Sequence, residues 1–133
     1  MKKHLEVVAA IIVKDGKVFC AQRRYGFLNG KWEFPGGKVE QGETDEEALV
    51  REIKEELISD IKVEKYFDTI NYEYENFSIT MRCFICSLIK GNLDVNPEVH
   101  MSKAWVDKDN LLKEDWAPAD RPIAKEVLKL VSE

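Results

Sequence analysis

Residues 37–57 carry the pattern that most restricts how this chain folds and what it does. Gly37-Lys38-Val39-Glu40-Gln41-Gly42-Glu43 is followed, after seven residues, by Arg51-Glu52-Ile53-Lys54-Glu55-Glu56. Leu49, Ile53 and Leu57 recur every fourth residue, which predicts a helix over 45–57 with one apolar stripe. Thr44 stands at the N-cap of that helix, with Glu47 placed to close a capping box. On such a helix Glu52, Glu55 and Glu56 fall at i, i+3 and i+4, crowding three carboxylates onto about one turn beside the buried stripe. Like charges at that spacing repel. A hard divalent cation, Mg²⁺ or Mn²⁺, would convert the repulsion into coordination, because such ions take carboxylate and carbonyl oxygens. Arg51 is placed to tie down Glu43 or Glu55, and Pro35-Gly36-Gly37 lets backbone approach the same spot.

The string resembles the Nudix box, G-x5-E-x7-R-E-U-x-E-E-x-G-U with U a bulky aliphatic residue. Gly37, Glu43, Arg51, Glu52, Ile53, Glu55 and Glu56 match it in register. Ile58 stands where the family has glycine, and Ser59 where it has an aliphatic residue. A glycine there reads as a left-handed helix cap, which a β-branched Ile adopts poorly, so the expectation is a different helix end, through Ser59-Asp60. The resemblance implies a mixed sheet sandwiched between helices, an α+β fold with an α/β/α arrangement. By resemblance, Glu52, Glu55, Glu56 and the Gly36 carbonyl are metal ligands, and Glu43 supports Arg51.

Composition narrows the setting. At 133 residues and 44% hydrophobic, the expectation is one domain over 1–133. A net charge of −5 argues against broad binding to nucleic acid polymers or anionic membranes. No apolar run approaches a membrane span, so the chain reads as a cytoplasmic protein, a monomer or homodimer, acting on a small molecule. Cys83 and Cys86 sit three apart in a strand-like segment and should face opposite ways, so with Cys20 they read as buried free thiols.

Along the chain, strands are expected at 5–13 and 18–23, joined by the hairpin signal Lys14-Asp15-Gly16-Lys17. Residues 24–31 read as loop, 32–34 as a short strand, and 61–70, 76–88 and 103–107 as further strands. A last helix over 121–131 turns Ile123, Val127 and Leu130 inward.

Outside the box, Glu6-Val7-Val8-Ala9-Ala10-Ile11-Ile12, Ala21-Gln22-Arg23, Trp32-Glu33-Phe34 and Ala117-Pro118-Ala119-Asp120 resemble the MutT branch, and within it the CTP pyrophosphohydrolase and 8-oxo-dGTP diphosphatase group. This implies a Mg²⁺-dependent nucleoside triphosphate pyrophosphohydrolase, giving a monophosphate and pyrophosphate from cytosine or oxidised nucleotides. The rivals are a hydrolase of ADP-ribose or dinucleoside polyphosphates, and a non-catalytic nucleotide sensor.

Lys38 sits where phosphate would lie against the glycine loop, and Arg23 is preferred over Arg24 as the phosphate clamp. Asp120 is either the N-cap of the last helix, with Pro122 in its first turn, or a nucleobase contact by resemblance. An ionised Asp120 accepts from cytosine's amine, whereas oxidised guanine requires a protonated one. Glu33 is placed to pair with it. Phe34 and Phe77 read as core aromatics or as residues that stack on the base, core being preferred, with Phe34 counted among the substrate-binding candidates, and Trp105 and Trp116 read as core. A further carboxylate is expected before the last strand, as metal ligand or general base. Glu98 is the candidate, but it sits one residue early relative to Trp105, with Val99 in its place, and His100 is the alternative.

Overall fold

The computed structural model describes residues 2–24 and 26–132; Met1, Tyr25 and Glu133, included in the expected domain and loop, lie outside the described residues. The chain runs β1 (Lys3–Lys14), β2 (Lys17–Arg23), β3 (Trp32–Glu33), β4 (Gly36–Lys38), α1 (Asp45–Leu57), β5 (Asp60–Glu73), β6 (Phe77–Lys90), β7 (His100–Asp107), a 3-10 turn (Leu111–Lys113) and α2 (Arg121–Val131).

β1 organises the sheet. Its apolar run is continuous because both faces are covered, and alternation sends Val8, Ala10 and Ile12 to one core and Ala9 and Ile11 to the other. The first core includes Leu49, Ile53 and Leu57 of α1; the second includes Ile123, Val127 and Val131 of α2. The result is the expected mixed sheet between two helices. β1 pairs in parallel with β6 and antiparallel with β4 and β2, while β2 also pairs with β3 and β7, and β6 with β5.

The Lys14–Lys17 hairpin forms as predicted, with Asp15 and Gly16 at φ 53° and 74°, the left-handed pair of a type I′ turn. Several boundaries differ from the sequence reading. β5, β6 and β7 are longer, Phe34 lies outside β3, and Gly36–Lys38, expected as part of a turn, is a strand on β1. These differences come from long-range pairing, which local patterns do not carry. Cys83 and Cys86 do face opposite cores, and all three cysteines are buried and free. Trp116 is buried, but Trp105, expected in the core, is 38% exposed and packs edge-on against Phe19.

The end of α1 corrects another expectation. Ile58 itself takes the left-handed cap conformation, φ 51° and ψ 43°, with its side chain in solvent. Buried Ser59 makes this possible. Its hydroxyl donates to the Leu57 carbonyl at 2.9 Å and accepts from the Leu93 N–H at 2.8 Å, pinning the exit to the loop after β6. Among the described residues no helix is long and apolar enough to cross a membrane.

Candidate active site

α1 begins with the predicted capping box: the Thr44 hydroxyl accepts from the Glu47 N–H at 3.1 Å, and Glu47 accepts from the Thr44 N–H at 2.9 Å. This sets the rotation of the helix and with it the direction of the glutamates. Arg51 then gathers them. Its Nε donates to Glu43 Oε2 at 2.6 Å and its Nη2 to Glu43 Oε1 at 3.0 Å, a two-point pair. Nη1 reaches Glu52 Oε1 at 2.9 Å and Glu55 Oε2 at 3.2 Å, and Nη2 reaches the Lys38 carbonyl at 3.1 Å. Arg51 therefore ties both partners that its spacing offered, and also fastens α1 to β4. The Arg51 hydrogen bond, aided by the Glu40 N–H, holds the Glu43 carboxyl below its ordinary range.

β4 supplies the opposite wall. A Cβ at Gly37 would run into the Glu52 carboxyl group, and a Cβ at Gly36 would strike the Val8 carbonyl of β1. Glycine is required at both for close approach. Glu52 is 13% exposed, whereas Glu55 is 61% exposed at the rim. Glu56 is half-buried; burial first, then the charges of Glu52 and Glu33, push its carboxyl up to about 7, against His100 and Arg23.

Beside this cluster a cavity of about 220 Å³ is lined by Arg23, Glu33, Phe34, Gly36, Gly37, Lys38 and Asp120, with Tyr74, Phe77 and Met81 on its apolar side. Gly36, Gly37 and Lys38 thus belong to both regions. Arg23 lines the cavity, and the backbone N–H of Arg24 donates to the Val99 carbonyl at 2.9 Å.

Asp120 precedes α2 but makes no side-chain cap, so capping does not explain it. Its Oδ2 accepts instead from the Phe34 N–H at 2.9 Å. Burial, then the charge of Glu33, raises its carboxyl well above the ordinary range, against the Phe34 N–H and Arg23. Nor does Glu33 pair with it through a hydrogen bond. Glu33 Oε1 accepts from Arg23 Nε at 3.2 Å, and its Oε2 lies 2.9 Å from His100 Nε2. Burial works to raise the Glu33 carboxyl, but His100 and Arg23 outweigh it and hold it below its usual range. Phe34 is core, stacked on Trp116 at 4.7 Å, while Phe77 is partly buried and stacks on Tyr74 at 4.8 Å.

Glu98 is exposed; its backbone N–H donates to Asn96 Oδ1 at 2.9 Å in the turn before β7. The one-residue offset noted from Trp105 has a structural counterpart: Gln22 pairs with Ser102 and Arg23 with His100, so Met101 is an extra residue taken up in a bulge. His100 is the residue whose setting spacing alone did not reveal. It is buried, and bulge and burial are both tertiary features.

Among the described residues no three or more His, Cys, Asp or Glu side chains stand ready-made around a metal ion. The chemistry of the donors does fit one. All are hard oxygens, and Glu52 and Glu56 stand close enough that the charge of Glu52, after burial, helps raise the Glu56 carboxyl.

Comparison with known proteins agrees with this geometry. The NUDIX domain model matches residues 2–127. The CTP pyrophosphohydrolase of Escherichia coli K12 is 36% identical over 129 residues, covering 96% of this chain and 94% of that protein. The 8-oxo-dGTP diphosphatase of Proteus vulgaris is 39% identical over 94 residues, 69% of this chain and 84% of that protein. The crystal structure of a MutT NUDIX hydrolase from Burkholderia pseudomallei superposes with a TM-score of 0.84 at 26% identity, covering 95% of this chain and 99% of that one. With its glutamate helix, arginine fork and glycine wall in the order of the box, this chain belongs to the Nudix hydrolase family.

Proposed function

We propose that the protein is a Mg²⁺-dependent nucleoside triphosphate pyrophosphohydrolase of the cytoplasm that converts an oxidised or cytosine nucleotide to its monophosphate and pyrophosphate. The observation that carries this reading is the adjacency of the glutamate helix to a cavity with a buried carboxyl group, Asp120, on its wall. One end suits a polyphosphate with a divalent cation, the other a planar base. Relatives named for CTP and for 8-oxo-dGTP support the same substrate class.

In this reading Glu52, Glu55, Glu56 and the Gly36 carbonyl hold the cation, Mg²⁺ or Mn²⁺ in its place. Bound there, it would offset the charge of the triphosphate and make water more acidic. Arg51 and Glu43 aim the ligands, a role in which loss of a partner costs affinity or rate and leaves the fold in place. Lys38 and Arg23 bind phosphate oxygens, and Glu98, at the exposed rim, is the candidate for the further metal ligand or general base. Glu33, Phe34 and Asp120 form the base end. Burial favours the protonated form of Asp120, and in that form it would donate to a carbonyl, which favours oxidised guanine over cytosine within the proposed class. The cellular consequence would be removal of damaged or surplus triphosphates from the nucleotide pool.

The test is pyrophosphate and phosphate release with Mg²⁺ from 8-oxo-dGTP, CTP, dCTP, 5-methyl-dCTP, ordinary triphosphates, ADP-ribose and diadenosine polyphosphates. The expected result is pyrophosphate from 8-oxo-dGTP above the others. Cleavage confined to ADP-ribose or the dinucleotides would overturn the substrate class, and silence throughout would overturn catalysis.

A further inference from the structure

The cavity beside the glutamate helix has a level floor and one polar corner. Leu5 and Val7 of β1 pair in register with Ile79 and Met81 of β6, and all four line the cavity. Paired residues on one face of a sheet form an even apolar surface, which suits a planar ring. Tyr74 lines the same cavity and brings a hydroxyl to it, a group that the reading above leaves without a role.

The position of that hydroxyl is fixed by its surroundings. Tyr74 opens the tight turn from β5 to β6, where its N–H donates to the Phe77 carbonyl at 2.8 Å. Phe77 stacks on its ring at 4.8 Å and Tyr72 lies against it at 4.7 Å. At the far end of the ring, Oη accepts from the Ala119 N–H at 3.1 Å. Ala119 directly precedes Asp120, so the hydroxyl meets the chain one residue from the buried carboxyl group, and both groups line the one cavity. They are anchored alike, each by one backbone N–H, that of Ala119 for Tyr74 and that of Phe34 for Asp120. The Ala119 bond occupies a lone pair and leaves the hydroxyl hydrogen, which no acceptor among the described residues takes. Burial first, then the neighbouring Asp120, Tyr72 and Glu33, push the phenol up to about 12 against the Ala119 N–H, so it keeps that hydrogen at neutral pH.

We propose that Tyr74 is a specificity-determining residue whose hydroxyl donates a hydrogen bond to a carbonyl oxygen on the edge of the bound base, beside the group that Asp120 meets. This deepens the pyrophosphohydrolase reading and rests on it. A carbonyl accepts the hydrogen that Tyr74 has to give. An exocyclic amine in the same place points hydrogens of its own at a hydroxyl that the Ala119 N–H already engages. The corner therefore selects a base with a carbonyl on that edge, an oxidised 6-oxopurine, over its 6-amino counterpart. Such a site rejects the wrong base because its own buried polar group is then left unpaired.

The experiment separates base reading from packing. Wild type and Tyr74→Phe are compared on 8-oxo-dGTP and 8-oxo-dATP with Mg²⁺, together with thermal melting. The two substrates share the triphosphate, the sugar and the oxidised position, and carry a carbonyl and an amine respectively at the purine 6-position. Tyr74→Phe keeps the ring and its stacking but strands the Ala119 N–H, so a lower melting midpoint is expected. The ratio of kcat/KM for two substrates on one preparation does not depend on how much of it is folded. The expected result is a wild-type preference for 8-oxo-dGTP that falls by about five- to tenfold in Tyr74→Phe, which is what one neutral hydrogen bond supplies. An unchanged ratio overturns the proposal while leaving the pyrophosphohydrolase reading standing. Should Tyr74→Phe not fold, binding of the monophosphates to wild type carries the test: 8-oxo-dGMP is expected to bind more tightly than 8-oxo-dAMP by the same factor, and equal binding overturns the proposal. A wild type that releases no pyrophosphate from any triphosphate overturns that reading, and the proposal with it.

Discussion

Arg51 and Glu43 are joined at two points, Nε to Oε2 at 2.6 Å and Nη2 to Oε1 at 3.0 Å, while a third guanidinium nitrogen holds Glu52 and Glu55. One planar cation thus orients three carboxylates from two elements, a task a lysine's single ammonium does poorly. Arg51→Lys and Glu43→Gln are expected to lower kcat/KM by about 10- to 100-fold, as loss of ligand-orienting partners commonly does, with only a small change in thermal midpoint. Steady-state kinetics beside melting curves would check this, and unchanged kinetics would refute the orienting role.

The two wall glycines should respond differently to one added methyl group. In Gly37→Ala the methyl meets the Glu52 side chain, which can swing aside, so metal affinity and kcat should fall while the fold survives. In Gly36→Ala it meets the Val8 backbone, which cannot yield without breaking the β1–β4 pairing, so soluble folded protein should fall. Mg²⁺ titrations and denaturation midpoints of the two variants distinguish these outcomes.

Ile58 sits in a left-handed conformation that costs a β-branched residue about 1–2 kcal/mol, and its side chain is 73% exposed, so it recovers little by burial. Ile58→Gly removes the strain but adds freedom to the unfolded chain. A net stabilisation of about 0.5–1 kcal/mol is expected, with activity unchanged. Denaturant unfolding measures it directly, and a destabilised variant would show that the side chain does more than its exposure indicates.

Asp120 accepts the buried Phe34 N–H, a duty an asparagine carbonyl can take over. Asp120→Asn should keep its stability and change the ratio of rates on oxidised-guanine and cytosine substrates. Asp120→Ala strands the N–H and should cost about 1–3 kcal/mol. An unchanged substrate ratio in Asp120→Asn would remove this residue from base recognition.

Metal-free stability should depend on pH through Glu56. Its carboxyl, raised to about 7 from an ordinary value of 4.5, keeps a proton in the folded protein that the unfolded chain has already released. The folded state therefore binds more protons between those values, and stability falls as pH rises through that window. Asp120, raised by burial, acts with the same sign. The thermal midpoint without metal should decline between about pH 5 and pH 8, less so in Glu56→Gln, and Mg²⁺ should restore more of it at the upper end. A flat wild-type profile would contradict the raised Glu56.

How much was legible beforehand depended on whether the signal was local. The capping box at Thr44 and Glu47, the Asp15-Gly16 turn and the i+4 stripe of α1 are short-range patterns, and each formed as read. The reading of Ile58 failed because local propensity argued against a left-handed Ile, whereas the two hydrogen bonds of buried Ser59, one of them to distant Leu93, hold Ile58 in that conformation. Trp105 was misplaced because residue type does not say which strand ends at a sheet's rim.

By itself, then, the amino-acid sequence determined the glutamate helix, its arginine and the glycines that let backbone approach them, since these rest on residue type and short spacing, while pairing with β1 made those glycines a strand. Only the tertiary structure decided what joins them to the cavity beside the helix. Asp120 meets Phe34 across 86 positions, and Glu33 meets His100 across 67. Those contacts exist because β1, β2 and β7 bring distant segments together, and no local periodicity encodes the register, or the bulge at Met101, that places His100 opposite Arg23.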